Sequence, residues 1–345
     1  MKELKITAAV LLATAAAWAI YRISLPKKRP LSCKSVVTQL WVYPVKSCRG
    51  ITVIRWSVHN EGFAYDREWG IVDALQGSVL TQRTDPRLTL IETQLDLTEG
   101  CLILKAPGMA TALRISLDKE CYGKEPLIPC SQWDIDRSAR SQGVEASRWL
   151  CEFLQRSNIV LVRTENLNVL PTKKGVVMPE RSKVRLQDWA PLLLLSEESV
   201  EWLKQAVPRA VTHSFSTENF RPNIVVRTHE GKPFREDYWI RFSINENASM
   251  LSAKPCARCV MPTNDVHKAT YSSCYEPVAT LKKYRMSIPP HKKDQKDPKA
   301  EPMMGMNVFP TLPIGRVEEV CVGDRVQVHE QHSVSPLHGL GAIVL

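Results

Sequence analysis

One short stretch of the chain carries residue types that do chemistry at close range: Lys254-Pro255-Cys256-Ala257-Arg258-Cys259-Val260-Met261-Pro262-Thr263. Two thiols three positions apart can form a redox dithiol, supply two ligands to zinc, or leave one thiolate for a soft metal beside a structural neighbour. An Arg next to a thiol favours the thiolate, the form that binds metal. The dithiol reading wants a strand-to-helix junction in a βαβ unit, whereas Pro262 follows closely and no helical periodicity begins there. Zinc wants four donors, and Cys256, Cys259, His267 and Cys274 offer them as C-x2-C-x7-H-x6-C. The later two intervals fit no recognised zinc spacing, and a chain with a good core gains little from a structural ion. The third reading leaves Cys259 as the sole protein ligand to a soft, high-valent metal whose other ligands come from an organic cofactor. A phosphorylated pterin dithiolene would be such a cofactor, and its buried phosphate would need several charge-assisted donors. Lys46, Arg67, Arg221 and Arg258 stand beside turns or strand ends and are candidates. Spacing alone leaves these readings open.

The elements that must position these groups read mostly as short strands. Strands are predicted at residues 37–42, 52–58, 69–73, 88–95, 101–105 and 113–117, broken by Gly, Pro and Asp. Gln76-Gly77-Ser78, between the apolar arms Ile71-Val72 and Val79-Leu80, predicts a hairpin turn. This is the pattern of a barrel or sandwich. Ala146, Trp149, Leu150, Phe153 and Leu154 recur at spacings of three and four and predict a helix over 143–155, packed across a barrel mouth. Residues 166–185 lack periodicity and contain Pro171 and Pro179, which suits a connection between two domains. A fully apolar run follows at 191–195. Ser196 then caps a helix that opens with Glu197-Glu198 and carries Val200, Leu203 and Val207. Further strands are predicted at 223–227, 239–244 and 317–328, the last broken at Gly323-Asp324.

At 345 residues the chain has room for two domains at roughly 100–200 residues each. Its 44% hydrophobic and 24% charged content excludes global disorder and a polytopic membrane protein. The ten cysteines are too sparse and irregular for a disulfide scaffold and read as mostly reduced, buried side chains. The net charge of +10 favours anionic partners, but no basic stripe interleaved with aromatics points to nucleic acid. Residues 290–302, rich in Lys and Pro, are expected to be a solvated surface loop.

Residues 6–21 carry no charge, and extension through Arg22 to Leu25 gives a helix of about 30 Å, the thickness of a hydrocarbon core. Trp18 and Tyr21 suit an interfacial anchor, and Lys27-Lys28-Arg29 closes the segment and favours a body on the cytosolic side. The competing expectation is a cleaved signal peptide, with Lys2 and Lys5 ahead of Ala15-Ala16-Ala17.

Four segments give the chain a resemblance to the MOSC family, the molybdenum cofactor sulfurase C-terminal domains, and within it to the amidoxime-reducing members. They are Leu40-Trp41-Val42-Tyr43-Pro44-Val45-Lys46-Ser47-Cys48, Asp66-Arg67-Glu68-Trp69, Asn219-Phe220-Arg221-Pro222-Asn223-Ile224 and Cys256-Ala257-Arg258-Cys259, with Val322-Gly323-Asp324-Arg325-Val326 as closing strand. The resemblance implies an α+β, mostly β fold: a membrane anchor and basic flank over 1–35, a barrel-like N-terminal MOSC domain over 36–165 and a MOSC β-barrel domain over 166–345. It implies the molybdenum cofactor (Mo-molybdopterin), with Cys259 as thiolate ligand and catalytic residue. Lys46, Ser47, Arg67, Arg221, Ala257, Arg258 and Asn307 would contact the cofactor. The run Asp188-Trp189-Ala190-Pro191 departs from the family, whose close members have two hydroxyl residues before the Pro; here backbone amides of Trp189 and Ala190 would serve, and Asp188 would donate a proton near the metal. The implied activity is reduction of N-hydroxylated compounds at the mitochondrial outer membrane, with electrons from NADH through cytochrome b5 reductase and cytochrome b5. No GxGxxG or flavin signature is present, so the reductant would arrive on a partner, steered to the Lys292–Lys299 loop. The rival readings are a cofactor carrier or sulfur-handling protein, and a membrane-anchored zinc module.

Overall fold

The computed structural model describes residues 31–132, 135–171, 176–209, 214–287, 300–333 and 337. The first half contributes β1 (Leu31–Val42), β2 (Ile51–Val53), β3 (Arg55–His59), β4 (Gly62–Phe63), β5 (Trp69–Asp73), β6 (Ser78–Val79), β7 (Glu92–Asp96), β8 (Cys101–Lys105), β9 (Leu113–Ser116), β10 (Leu127–Gln132) and β11 (Ile135–Ser141). Helix α1 (Gly143–Leu154) and β12 (Ile159–Thr164) complete that half. The second half adds β13 (Asn168–Val169), β14 (Lys183–Val184), β15 (Leu192–Ser196), α2 (Glu197–Ala206), β16 (Ile224–Arg227), β17 (Trp239–Ile244) and β18 (Ala248–Ala257). It ends with β19 (Asn264–Asp265), β20 (Thr270–Tyr271), α3 (Val278–Tyr284), β21 (Met303–Pro310), β22 (Glu318–Cys321) and β23 (Arg325–Gln331).

Eight strands form the larger sheet in the order β16-β15-β21-β18-β17-β23-β1-β2. Because β16 also pairs with β1, with Leu40 opposite Ile224, every member except β2 lies on a ring. Alternation along the strands fills it: Leu40 and Val42 of β1, Leu192 and Leu194 of β15, Phe242 and Ile244 of β17, Met306 and Val308 of β21, and Val326 and Val328 of β23 share one core. A second, closed barrel runs β10-β11-β12-β5-β6. Val72, Val79, Cys130, Ala139 and Val162 pack together there with Leu186, which enters from the connection before β15.

Most expected elements are present. The arms of the β5–β6 hairpin pair Val72 with Val79, and α2 starts where Ser196 Oγ accepts the Ser199 N–H at 3.2 Å. Helix α1 packs Ala146, Trp149, Leu150 and Leu154 against β12 and β9. The expected strand over 88–95 is two elements: Asp85 caps a 3-10 helix at Pro86–Leu90, and the strand begins only at Glu92. Strands β10, β11 and β12 are additions to the sequence reading. Among the described residues no helix is long and apolar enough to cross a membrane. The anchor expected within 1–35 falls almost wholly, and the Lys292–Lys299 loop wholly, outside the described residues.

Candidate cofactor cavity

Six segments far apart in sequence end at one cavity of about 140 Å³. The loop after β1 delivers Lys46 and Ser47, and the β4–β5 turn delivers Arg67. The approach to β15 brings Asp188, Trp189 and Ala190. The cap before β16 supplies Arg221, and the end of β18 supplies Ala257, Arg258 and Cys259. Asn307 comes from β21. All eleven candidate residues line this single cavity. Reading the sequence passed over other lining side chains, among them Thr81, Arg83 and Gln187, and gave Cys256 a part only in the dithiol and zinc readings.

The backbone itself is set for this convergence. Ser47, Arg67 and Arg221 have φ of 68°, 48° and 54°, a left-handed conformation that non-glycine residues hold only where their surroundings fix it, and one that concentrates at functional sites. The Ser47 carbonyl accepts from Gln82 at 2.8 Å, and the Arg221 N–H closes the capping turn onto Glu218.

Lys46 is 6% exposed, and its Nζ donates to the Leu186 carbonyl at 2.8 Å and to Asp188 Oδ1 at 2.5 Å. Burial pulls its pKa below the usual Lys value, an effect that Asp188 opposes and Arg67 and Arg221 reinforce. Arg67 donates to both oxygens of buried Asp66, at 2.8 and 2.6 Å, and to Asn223 Oδ1 at 2.9 Å. Arg258 spends its guanidinium on carbonyls, Met304 O at 2.8 and 2.6 Å and Phe220 O at 3.0 Å. Gly305 makes room for that: its φ is +75°, and a Cβ there would stand 2.7 Å from Leu194 O and 3.4 Å from Arg258 Nη2. Arg221 donates Nη1 to Cys48 O at 2.6 Å, while its Nη2 is buried with no hydrogen-bond partner. Among the described residues neither Arg221 nor Arg258 has a carboxylate within ion-pair distance.

Cys259 is half-buried, and its Sγ accepts the Met261 N–H at 3.5 Å, which orients the sulfur. Burial pushes the Cys256 thiol up in pKa. Trp189 stacks edge-on against Phe309, with Lys254 Nζ 4.1 Å from its ring centre, and its indole N–H is buried without a partner. Asn307 Nδ2 donates to Pro255 O at 3.3 Å. Zinc finds no such convergence. His267 is engaged with Arg49 at 3.1 Å and Cys274 with Ser272 at 3.1 Å. No group of three or more His, Cys, Asp or Glu gathers among the described residues, so the C-x2-C-x7-H-x6-C set is not assembled.

This donor set suits an anionic group bearing phosphate, held by cations, with one sulfur beside it to ligate a metal. An Arg donor buried without a partner is what such a ligand would satisfy.

The MOSC N-terminal beta barrel domain matches residues 34–157, and the MOSC domain matches residues 181–327. Mitochondrial amidoxime reducing component 2 of Bos taurus is 30% identical over 307 residues, 87% of this chain and 85% of that protein. Its counterpart in Rattus norvegicus is 31% identical over 330 residues, 92% and 90% of the two chains. Molybdenum cofactor sulfurase of Arabidopsis thaliana is 31% identical over 257 residues, 71% of this chain but only 30% of that longer protein. With both domains in order, and alignment along most of the amidoxime reducing components, the chain belongs to the family of MOSC-domain proteins that includes them.

Proposed function

We propose that this protein is a molybdenum-cofactor-dependent reductase of N-hydroxylated compounds, amidoximes and hydroxylamines, receiving electrons from NADH through cytochrome b5 reductase and cytochrome b5. The observation that carries the reading is the convergence of Cys259 with Lys46, Arg67, Arg221 and Arg258 on one cavity, in a chain whose relatives are named amidoxime reducing components. When bound, the cofactor would supply a redox metal able to carry the two electrons of the reduction.

The protein's own groups do the rest. Lys46, Arg67 and Arg221 hold the anionic end of the cofactor, with the unpartnered Nη2 of Arg221 as a donor in waiting. Ser47, Ala257, Arg258 and Asn307, with the backbone amides of Trp189 and Ala190, would line its flanks, and Cys259 would ligate the metal through Sγ. Reduction of R–NH–OH to R–NH2 and water consumes two electrons and two protons. Asp188, with its side chain 53% exposed and Oδ1 against Lys46, takes protons from solvent and delivers them at its carboxyl oxygens. We assign the N-terminal domain to residues 36–165 and the MOSC domain to 166–345, behind an anchor in 1–35. That anchor would hold the body on the cytosolic side of the mitochondrial outer membrane; the relatives' names support the mitochondrion alone.

Elemental analysis and pterin fluorescence on purified protein test the reading, with benzamidoxime turnover measured beside them using NADH, cytochrome b5 reductase and cytochrome b5. Wild type is expected to hold both molybdenum and pterin and to turn over. Cys259→Ala is expected to lose its molybdenum and its turnover; a variant that keeps both sinks the proposal. The similarity to a molybdenum cofactor sulfurase favours a second reading, a cofactor carrier, which would bind cofactor yet reduce nothing.

A further inference from the structure

Tyr43 lies behind two of the arginines that line this cavity, and neither the motifs nor the reaction explains its role. It is fully buried, and two guanidinium groups lie over its ring: Arg67 at 4.3 Å and Arg221 at 4.2 Å from the ring centre. Two like charges drawn from water repel each other, and among the described residues only one of them has a carboxylate, Asp66. The electron-rich ring faces compensate what the carboxylate does not. The phenol hydroxyl contributes nothing to this, because it is buried and has no hydrogen-bond partner. Burial also raises its pKa against the pull of both arginines, so the ring stays neutral and the cavity keeps its positive charge. Trp41 stacks beside the ring, with centroids 6.3 Å apart and planes 13° apart. Gly50 leaves the ring its space, since a Cβ at that position would stand 2.4 Å from Tyr43 Cε1.

We propose that Tyr43 is a positioning residue: its ring is the shared platform that holds Arg67 and Arg221 together, aimed at an incoming phosphate, with Gly50 as the gap that admits the ring. The ring does this without touching the ligand. It leaves the Asp66 ion pair to fix Arg67 and the Cys48 carbonyl to fix Arg221, and it keeps the second Arg221 amino group available. This inference rests on the cofactor reading for the identity of the ligand, but not for the geometry of the clamp.

The test uses the full chain expressed without cofactor, with inorganic phosphate as probe in a calorimeter and a melting curve for each variant. Tyr43→Phe keeps the ring and is expected to bind phosphate within about twofold of wild type and to melt no lower. Tyr43→Leu removes the platform and is expected to bind roughly tenfold more weakly or worse. Gly50→Ala, which retains Tyr43 but pushes its ring, is expected to fall with Tyr43→Leu. A folded Tyr43→Leu protein with wild-type affinity overturns the proposal, as does a Tyr43→Phe protein as weak as Tyr43→Leu; should Tyr43→Leu fail to fold, Gly50→Ala decides. Pterin content of the same variants made with cofactor separates the two claims. Wild type without pterin, yet with the phosphate series as expected, would fail the cofactor reading and leave the clamp standing.

Discussion

At the scale of single residues, the Lys46–Asp188 pair shows what the cavity demands. A buried ammonium needs a counter-charge, and Lys46 has a half-exposed one plus a carbonyl. Removing one partner of a fully buried pair costs about 3–5 kcal/mol, but water around Asp188 screens this one, so Asp188→Asn is expected to cost about 1–2 kcal/mol in denaturant melts near neutral pH. The sign with pH follows from the lowered pKa of Lys46. The unfolded chain holds that proton more tightly than the fold does, so the uncompensated charge harms the variant while the amine is protonated. The gap between wild type and variant should therefore narrow as pH rises toward the usual Lys range; a gap that widens would refute the assignment. Sequence alone flagged Lys46, Arg67, Arg221 and Arg258 only as cations near turns. Their segments are separated by up to about two hundred residues, so no local spacing can report that they meet. Likeness to a family brought them together, and Tyr43 stood in its motif without a role because a platform for two arginines has no sequence signature.

At the scale of elements, strands with clean boundaries were legible. Trp69–Asp73, Cys101–Lys105 and Trp239–Ile244 are short β-rich runs bounded by turn residues, and each folds over the span read from it. Strands β10 and β11 were not, because Pro129 interrupts one and Asp136, Arg137, Ser138 and Arg140 make the other look like a loop. Their strand character comes from pairing with each other and with β12. The Pro86–Leu90 helix was misread because Leu88 and Ile91 are buried like strand residues, whereas Asp85-Pro86 is a helix start. One tie between elements carries its own prediction. Asp237, in the 3-10 helix Arg235–Tyr238, meets Arg285, the cap of α3, at 2.7 Å, and burial raises its pKa from 3.8 to about 6 despite that partner. The fold thus binds this proton more tightly than the unfolded chain. Wild type should lose stability relative to Asp237→Asn as pH climbs from about 4 to about 6 and hold level above that. Chemical denaturation across this window measures it, and a difference that grows in favour of wild type contradicts it.

At the scale of the whole molecule, the net charge of +10 sets the long-range field. An acidic electron carrier would be drawn in by it, and screening shortens that reach to about 8 Å at physiological salt. The bimolecular rate of reduction by such a carrier is expected to fall several-fold between about 0.05 and 0.5 M salt; a salt-independent rate, followed by stopped flow, would exclude steering. The topology adds a matter of timing. Translation delivers β1 well before β16 and β23, yet β1 is hydrogen-bonded on one side to β16 and on the other to β23 and β2. β2 can pair with its neighbour at once, but the stretch of β1 that faces β23 keeps an unpaired edge until β23 has been made, a hazard for aggregation. Lys46 follows β1 and Cys259 follows β18, so the cavity they share closes only once strands made far apart in time have met.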